Sequence, residues 1–387
     1  MERPVAAAPD GSAAQSRMIS QIHRLGTVKA PAPTFGTRAA PPGSTIHDPA
    51  FWERYDTDTL IYDSVWRPER RLLSLYLPKM FNFETVLQRC TFRLGTKNIA
   101  PKRSKYIRFD RLDFKAEPTG LPFQLETPGG ALDLPVHDAA AGRFAGKNVI
   151  YTMVRNDDLI WIRDWVLAHQ RNHGADAVLI ANNGSTEYDS ATLAQAISDV
   201  PGIVVADVLD VPLRHGPAPK SVSGVGFAKF LQTACLNLVR DRFFEQARAV
   251  LLCDVDELVT APEGHSIFDA TARSFTKYRP IGGSWRFAAE KDGLLRHADH
   301  VLGDETNHPC ADKYCIVPDS FFGRMGWSVH SLENVNRRIF RPRGSFRFYH
   351  CRGISTSWKG PRKGHSARAG PPDLATQDFM TKTFAKA

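Results

Sequence analysis

"NVIYTMVRNDDLIWIRDWVLAHQRNHGADAVLIA", residues 148–181, passes from one periodicity to another and back. "NVIYTMV" (148–154) is a continuous apolar run of strand length, and after four polar residues Ile162, Trp165, Val166 and His169 recur at helical spacing. Asn156 or Asp157 is placed to cap that helix and Gly174 to end it. "DAVLIA" (176–181) reads as the next strand, "NNGSTEYDS" (182–190) as a turn and "ATLAQAISDV" (191–200) as a helix. "GIVVADV" (202–208), a helical stretch over 226–246 and "RAVLLCDV" (248–255) continue the rhythm. Strands alternating with helices of these lengths predict right-handed βαβ crossovers, hence an α/β fold with a mostly parallel sheet.

Outward from this region the rhythm changes. Residues 1–47 are rich in Ala, Pro, Gly and Ser and are expected to be disordered or a linker. Segments such as "RLLSLYLPK" (71–79), "ETVLQRCTFRLG" (84–95) and "SKYIRFDRLDFKAE" (104–117) predict a small, basic, β-rich module over 48–126. Residues 127–147 read as a second linker, 148–360 as the α/β domain and 361–387 as a flexible basic tail.

The chain has 387 residues, 42% hydrophobic and 24% charged, enough for a sizeable core. No run of about 18 apolar residues occurs, which excludes a membrane-spanning helix. The first residues lack a basic start and an apolar h-region, so the expected location is cytoplasmic. Cys90, Cys235, Cys253, Cys310, Cys315 and Cys351 form no CxxC pair, which fits free thiols better than a disulfide framework or a zinc site. The net charge of +9 is uneven: 66–115 holds 13 Lys plus Arg against 4 Asp plus Glu, and 334–372 holds ten against none. Such bias points to an anionic partner or to a solvated basic face.

In an open α/β sheet, ligands bind beyond the carboxyl ends of the strands. Three polar clusters fall there: 155–158, 182–187, and the carboxylates of "VLLCDVDELV" (250–259). In extended chain Asp254 and Asp256 point to one side. No Lys or Arg lies between Ala249 and His265 to neutralise them. A divalent cation resolves that repulsion, and Mg²⁺ or Mn²⁺ bridges to phosphates. Solvated carboxylates at a strand end are the alternative.

With these residues in place the chain resembles a GT-A fold glycosyltransferase, similar to the family 2 and family 92 types. "MVRNDDLIWIRDWVLAHQRNHGAD" resembles the family's opening strand, turn and helix, and "NNGSTE" its second turn. "LLCDVDELV" resembles its DxD strand, "KYCIVP" its lysine-strand segment, and "HS" at 330–331 its later histidine. Departures are Asp157 and Asp164 where Glu is usual, and Asn182 and Glu187 where aspartates are expected. The resemblance implies a GT-A, Rossmann-like domain that moves a sugar from a nucleotide-sugar, a UDP-sugar first among them, to a glycan, lipid-linked or polysaccharide acceptor. Bacterial envelope or extracellular polysaccharide synthesis would be its setting. It implies that Arg155, Asn156, Asp157, Asn183 and Ser185 hold the nucleotide, and that Asp254 and Asp256 hold Mn²⁺ or Mg²⁺ on the diphosphate. His330 would complete the metal site, with His350 its competitor, and Arg352 and Lys359 would close over the diphosphate. Inverting transfer needs a carboxylate base C-terminal to the DxD, for which Glu290, Asp292 and Asp304 are the candidates, with Glu305 and Asp312 nearby.

Two other readings stay open at this point. A metal-dependent nucleotidyltransferase also needs paired carboxylates, but it expects a Gly-rich basic loop where this chain has "RNDD" (155–158). A basic module binding nucleic acid or anionic membrane is suggested by Tyr106, Phe109 and Phe114 interleaved with basic residues, although sheet alternation gives the same pattern and no nucleic acid is expected. A combination is also expected, in which the basic module holds the enzyme peripherally on the inner face of an anionic membrane.

Overall fold

The computed structural model describes residues 20–217, 222–223, 230–289, 291–356 and 368–385. Its centre is a nine-stranded sheet. The strands, in chain order, are β1 (Ile22–Arg24), β2 (Asn148–Val154), β3 (Ala177–Asn182), β4 (Val205–Asp210), β5 (Ala249–Leu252), β6 (Glu257–Thr260), β7 (Tyr278–Arg286), β8 (Lys313–Ile316) and β9 (Arg347–Cys351). They lie in the order β1-β4-β3-β2-β5-β8-β7-β9-β6. Neighbours from β1 to β5 run parallel. Beyond β5 the pairs β5–β8, β8–β7 and β9–β6 are antiparallel, and β7–β9 is parallel. The sheet is therefore mixed, and the expectation of a mostly parallel sheet holds only for its first half. Helical crossovers dictate parallel pairing up to β5, whereas the later strands join through irregular connections that impose no common direction.

The described α-helices of seven residues or more are α1 (Leu159–His173), α2 (Ser190–Ser198), α3 (Phe230–Val239), α4 (Ile267–Arg273) and α5 (Leu374–Phe384). Both faces of β2 are covered, which is why it reads as an unbroken apolar run. Ile150 and Val154 pack in one cluster with Ile162 and Trp165 of α1 and Leu193 of α2. Val149, Tyr151 and Met153 pack in another with Leu231 and Leu238 of α3. Asp158 caps α1, accepting from the Ile160 amide at 2.8 Å, one residue beyond the expected caps. Gly174 ends the helix in the left-handed conformation, at φ 68°. A turn of π-helix, Arg240–Phe244, follows α3.

The region before β2 holds a five-stranded sheet (Asp63–Arg67, Leu72–Pro78, Lys102–Lys105, Phe109–Phe114, His137–Asp138) and a four-stranded one (Thr91–Leu94, Lys97–Ile99, Phe123–Thr127, Gly130–Asp133). Segments expected to be linkers are built into the fold. Ile22–Arg24 forms the edge strand β1, and Asp207 fixes it by accepting from the Gln21 amide at 3.1 Å while His23 lies 2.9 Å away. Within 127–147, Gly130–Asp133 and His137–Asp138 are strands, and Arg143 makes two bonds of 2.6 Å to Asp207. The expected tail contributes Ala369–Pro372, paired with Leu302–Asp304, and helix α5. Composition misled here because backbone pairing and single buried ion pairs, rather than apolar periodicity, order these pieces.

One apolar cluster spans both regions, joining Tyr62, Val65, Tyr76, Phe109 and Phe144 to residues of β2, α3 and β5. At its border Asp241, 1% exposed, contacts Arg67, Arg111, Arg240 and the Tyr76 hydroxyl. Burial raises its pKa, but the three arginines outweigh that and hold the carboxyl well below the usual range. Arg70, Lys79, Arg93, Arg103 and Lys105 also pair with carboxylates. Much of the positive charge at 66–115 is thus neutralised inside the molecule, which corrects its reading as a free anion-binding face.

Candidate functional site

The acidic cluster lies in a tight turn between β5 and β6. The Glu257 amide donates to the Asp254 carbonyl at 3.0 Å, and the Glu257 carboxylate accepts from the Asp254 amide at 2.8 Å. In a turn, the alternation expected of an extended chain is lost, and the two aspartates take different partners. Lys313 at the start of β8, 2% exposed, lies 2.6 Å from Asp254 and 3.0 Å from Glu257. Burial alone would favour loss of its proton, but the two carboxylates outweigh it and hold the ammonium charged well above the usual lysine range. Burial pushes the Glu257 carboxyl up, against the opposing pull of Lys313. The cation missing from the local sequence therefore arrives from a strand some sixty residues later.

Asp256 faces the other way. His350 of β9 places Nε2 3.1 Å from Asp256 Oδ2 and Nδ1 3.9 Å from Glu257 Oε1. Asp256, Glu257 and His350 each offer a ligand atom, all within 4.8 Å of one another. Two carboxylate oxygens and an imidazole nitrogen make a donor set for a divalent cation. The His350 ring stacks on Trp285 of β7 at 3.8 Å, with the Arg352 guanidinium over the indole at 5.2 Å. The histidine brought to the carboxylates is thus His350. His330, between two short strands, sets Nδ1 3.1 Å from the Asp312 carbonyl.

Beyond the ends of β2, β3 and β4 opens a cavity of about 710 Å³ lined by Arg54, Arg155, Asn183, Gly184, Arg214 and His215, among others. The Asn183 amide nitrogen donates to the carbonyls of Val211 and Leu213, at 2.7 and 2.8 Å. That fixes the orientation of its Oδ1, which has no hydrogen-bond partner among the described residues although the residue is 1% exposed. Asn156 adopts φ 55° and ties the two turns together, donating from its backbone to Ser185 Oγ (2.9 Å) and accepting from the Thr186 amide (2.7 Å). The Asp157 carboxylate accepts from the Arg155 amide at 3.2 Å. Arg155, Asn183 and the Asn156–Ser185 clasp are thereby gathered at one place. Arg54, at the end of a four-residue helix, and Arg214 and His215, in a loop, were not singled out in the sequence, because isolated residues in such short segments carry no periodic signal.

Of the base candidates, Asp304 accepts from Arg368, from the Thr306 amide and hydroxyl, and from the His308 amide. Burial acts against its charge, yet these donors lower its pKa to about 2, which suits a structural carboxylate and not a base. Asp292 is exposed in the 291–296 loop. Glu290 and Lys359 lie outside the described residues.

No protein-family model matches the chain, and no curated protein sequence matches it. Among solved structures it is similar to GalNAc-T7 with UDP, GalNAc and Mn²⁺, at 11% identity and a TM-score of 0.33, over 62% of this chain and 48% of that one. The chain thus spans about half the length of that structure, and a likeness so loose carries no weight for fold or function.

Proposed function

We propose that the protein is a metal-dependent glycosyltransferase that uses a nucleotide-sugar donor. The observation that carries this reading is the convergence of Asp256, Glu257 and His350 at the carboxyl end of a parallel strand. The arginine-lined cavity beyond the neighbouring strands β2–β4 supports it, because donor diphosphate and nucleoside need adjoining cationic and hydrogen-bonding surfaces.

In this reading Asp256 and His350 hold a divalent ion with Glu257 beside them, and Asp254, fixed by Lys313, faces the donor. When bound, the ion offsets charge that grows on the diphosphate as the sugar leaves. Asn183 Oδ1 accepts from a ring N–H of the nucleobase, a donor that uracil supplies. Arg155 and Arg214 bind phosphate or ribose oxygens, and the Asn156–Ser185 clasp sets the width of the cavity. Arg352, over Trp285, shields the reacting centre from water. Direct displacement on the anomeric carbon, with inversion, needs no covalent nucleophile. Asp292 and Glu290 remain the base candidates, and a glycan hydroxyl is the acceptor. Lys313, held charged by Asp254 and Glu257, ties the turn between β5 and β6 to β8. A nucleotidyltransferase gains no comparable support, since no Gly-rich basic loop follows β2.

The test is a melting-temperature panel of UDP-, GDP-, CMP- and dTDP-sugars, with and without Mn²⁺, on the wild type and Asp256→Ala. A ligand that binds only the native state raises Tm by mass action. A Mn²⁺-dependent rise with one nucleotide class, lost in the variant, is expected. A rise indifferent to both metal and Asp256 would refute the assignment.

A further inference from the structure

Among the described residues of the basic stretch 334–372, His350 and Arg352 belong to the site and the Thr356 hydroxyl donates to the Arg155 carbonyl at 3.1 Å. The first part of the stretch is solvent-exposed: Arg338, Ile339, Arg341 and Arg343 all project from the surface. Ile339 is 61% exposed and Phe321 77% exposed, unusual values for large apolar side chains. The segments that carry them meet at one place on the surface, because Phe322 and Phe340, their immediate chain neighbours, pack ring to ring at 5.0 Å. Arg324 borders it and is exposed as well.

Two features select the partner. Arg338, Arg341 and Arg343 pair with no carboxylate among the described residues, and Asp319, the acid on the Phe321 side, is taken up by Arg70 and Arg324. The patch is therefore net positive and calls for an anionic surface. A protruding phenylalanine and isoleucine ringed by arginines fit a surface that is charged at its face and apolar a few ångströms below. That describes the headgroup–acyl boundary of a bilayer, where apolar side chains insert and guanidinium groups stay with phosphates. Nucleic acid supplies the charge but offers an aliphatic Ile339 no apolar layer.

We propose that this patch, Phe321 and Ile339 with Arg324, Arg338, Arg341 and Arg343, docks the protein on an anionic lipid bilayer. The docking face belongs to the α/β region and not to the β-rich module, whose cations are largely paired internally.

The experiment is co-sedimentation of the full chain with vesicles of phosphatidylcholine alone or with 30% phosphatidylglycerol, at roughly 50 and 300 mM salt. Binding is expected only to the anionic vesicles and to weaken at high salt. Arg338→Glu with Arg341→Glu should weaken it at least about 25-fold, since each basic residue near such a surface contributes about a fivefold effect. Phe321→Ser with Ile339→Ser should also release the protein from the anionic vesicles, although it leaves the charge of the patch unchanged. All four positions are exposed, so the variants keep the wild-type melting temperature and its shift with nucleotide-sugar, which separates this idea from the transferase reading. Absence of pelleting with anionic vesicles at low salt, or pelleting that survives either double variant, would overturn it.

Discussion

At the scale of single residues, the site depends on two side chains that its own loop does not contain. Lys313 is the buried counter-ion of Asp254 and Glu257. Removing one partner of such a group leaves uncompensated charge, so Lys313→Met is expected to lower unfolding free energy by about 3–5 kcal/mol, read by urea denaturation. Lys313→Arg should lose less, because it keeps the charge but misfits the space. His350→Ala should abolish the Mn²⁺-dependent rise in Tm with nucleotide-sugar, whereas His330→Ala should leave most of it; the opposite pattern would restore His330 as the ligand. The carboxylates themselves were legible, because three acids that end an apolar run stand out. Their partners were not: Lys313 and His350 are ordinary residues of later strands, and only antiparallel and edge pairings, which periodicity does not encode, bring them near.

At the scale of elements, α1 and β6 are joined by two neutral histidines. His169 donates from Nδ1 to the Trp165 carbonyl and accepts from the Val259 amide at Nε2. His173 donates from Nε2 to the Val259 carbonyl and accepts from the Ile267 amide at Nδ1. Burial lowers both, His169 to about 3 and His173 to about 4, against an ordinary value of 6.5. The unfolded chain therefore takes up protons first as pH falls. Stability from this pair is complete above about pH 6.5 and is lost progressively toward about pH 3, the His173 share by about pH 4. Tm should fall over that window, and His173→Gln should flatten the slope; an unchanged slope would exclude His173 as a cause. Helix α1 was readable from its spacing and its closing glycine. His169 read only as a helix-face position and His173 not at all, since nothing local reveals that their rings bond to β6.

At the scale of the molecule, the β-rich region and the α/β region share a core as well as the Asp241 network. Chain beginning at residue 148 would expose Val149, Tyr151 and the arginine-facing Asp241. It is expected to be insoluble or to melt far below the full chain, and an equally stable fragment would show the regions to be independent. Asp241→Asn in the full chain, which leaves Arg67, Arg111 and Arg240 without their buried carboxylate, should cost about 3–5 kcal/mol by the same denaturation assay. A last consequence concerns the birth of the protein. Strand β1 pairs Ile22 with Val208, 186 residues downstream. At a ribosome's pace of about 5–20 residues per second, β1 waits about 10–40 s for its partner to emerge, and closing so long a loop is itself slow. Until then β1 has no neighbour to join, so the nascent chain passes through an interval in which an unpaired strand is open to other chains. Folding yield, more than final stability, should therefore respond to changes at Ile22, His23 and Arg24.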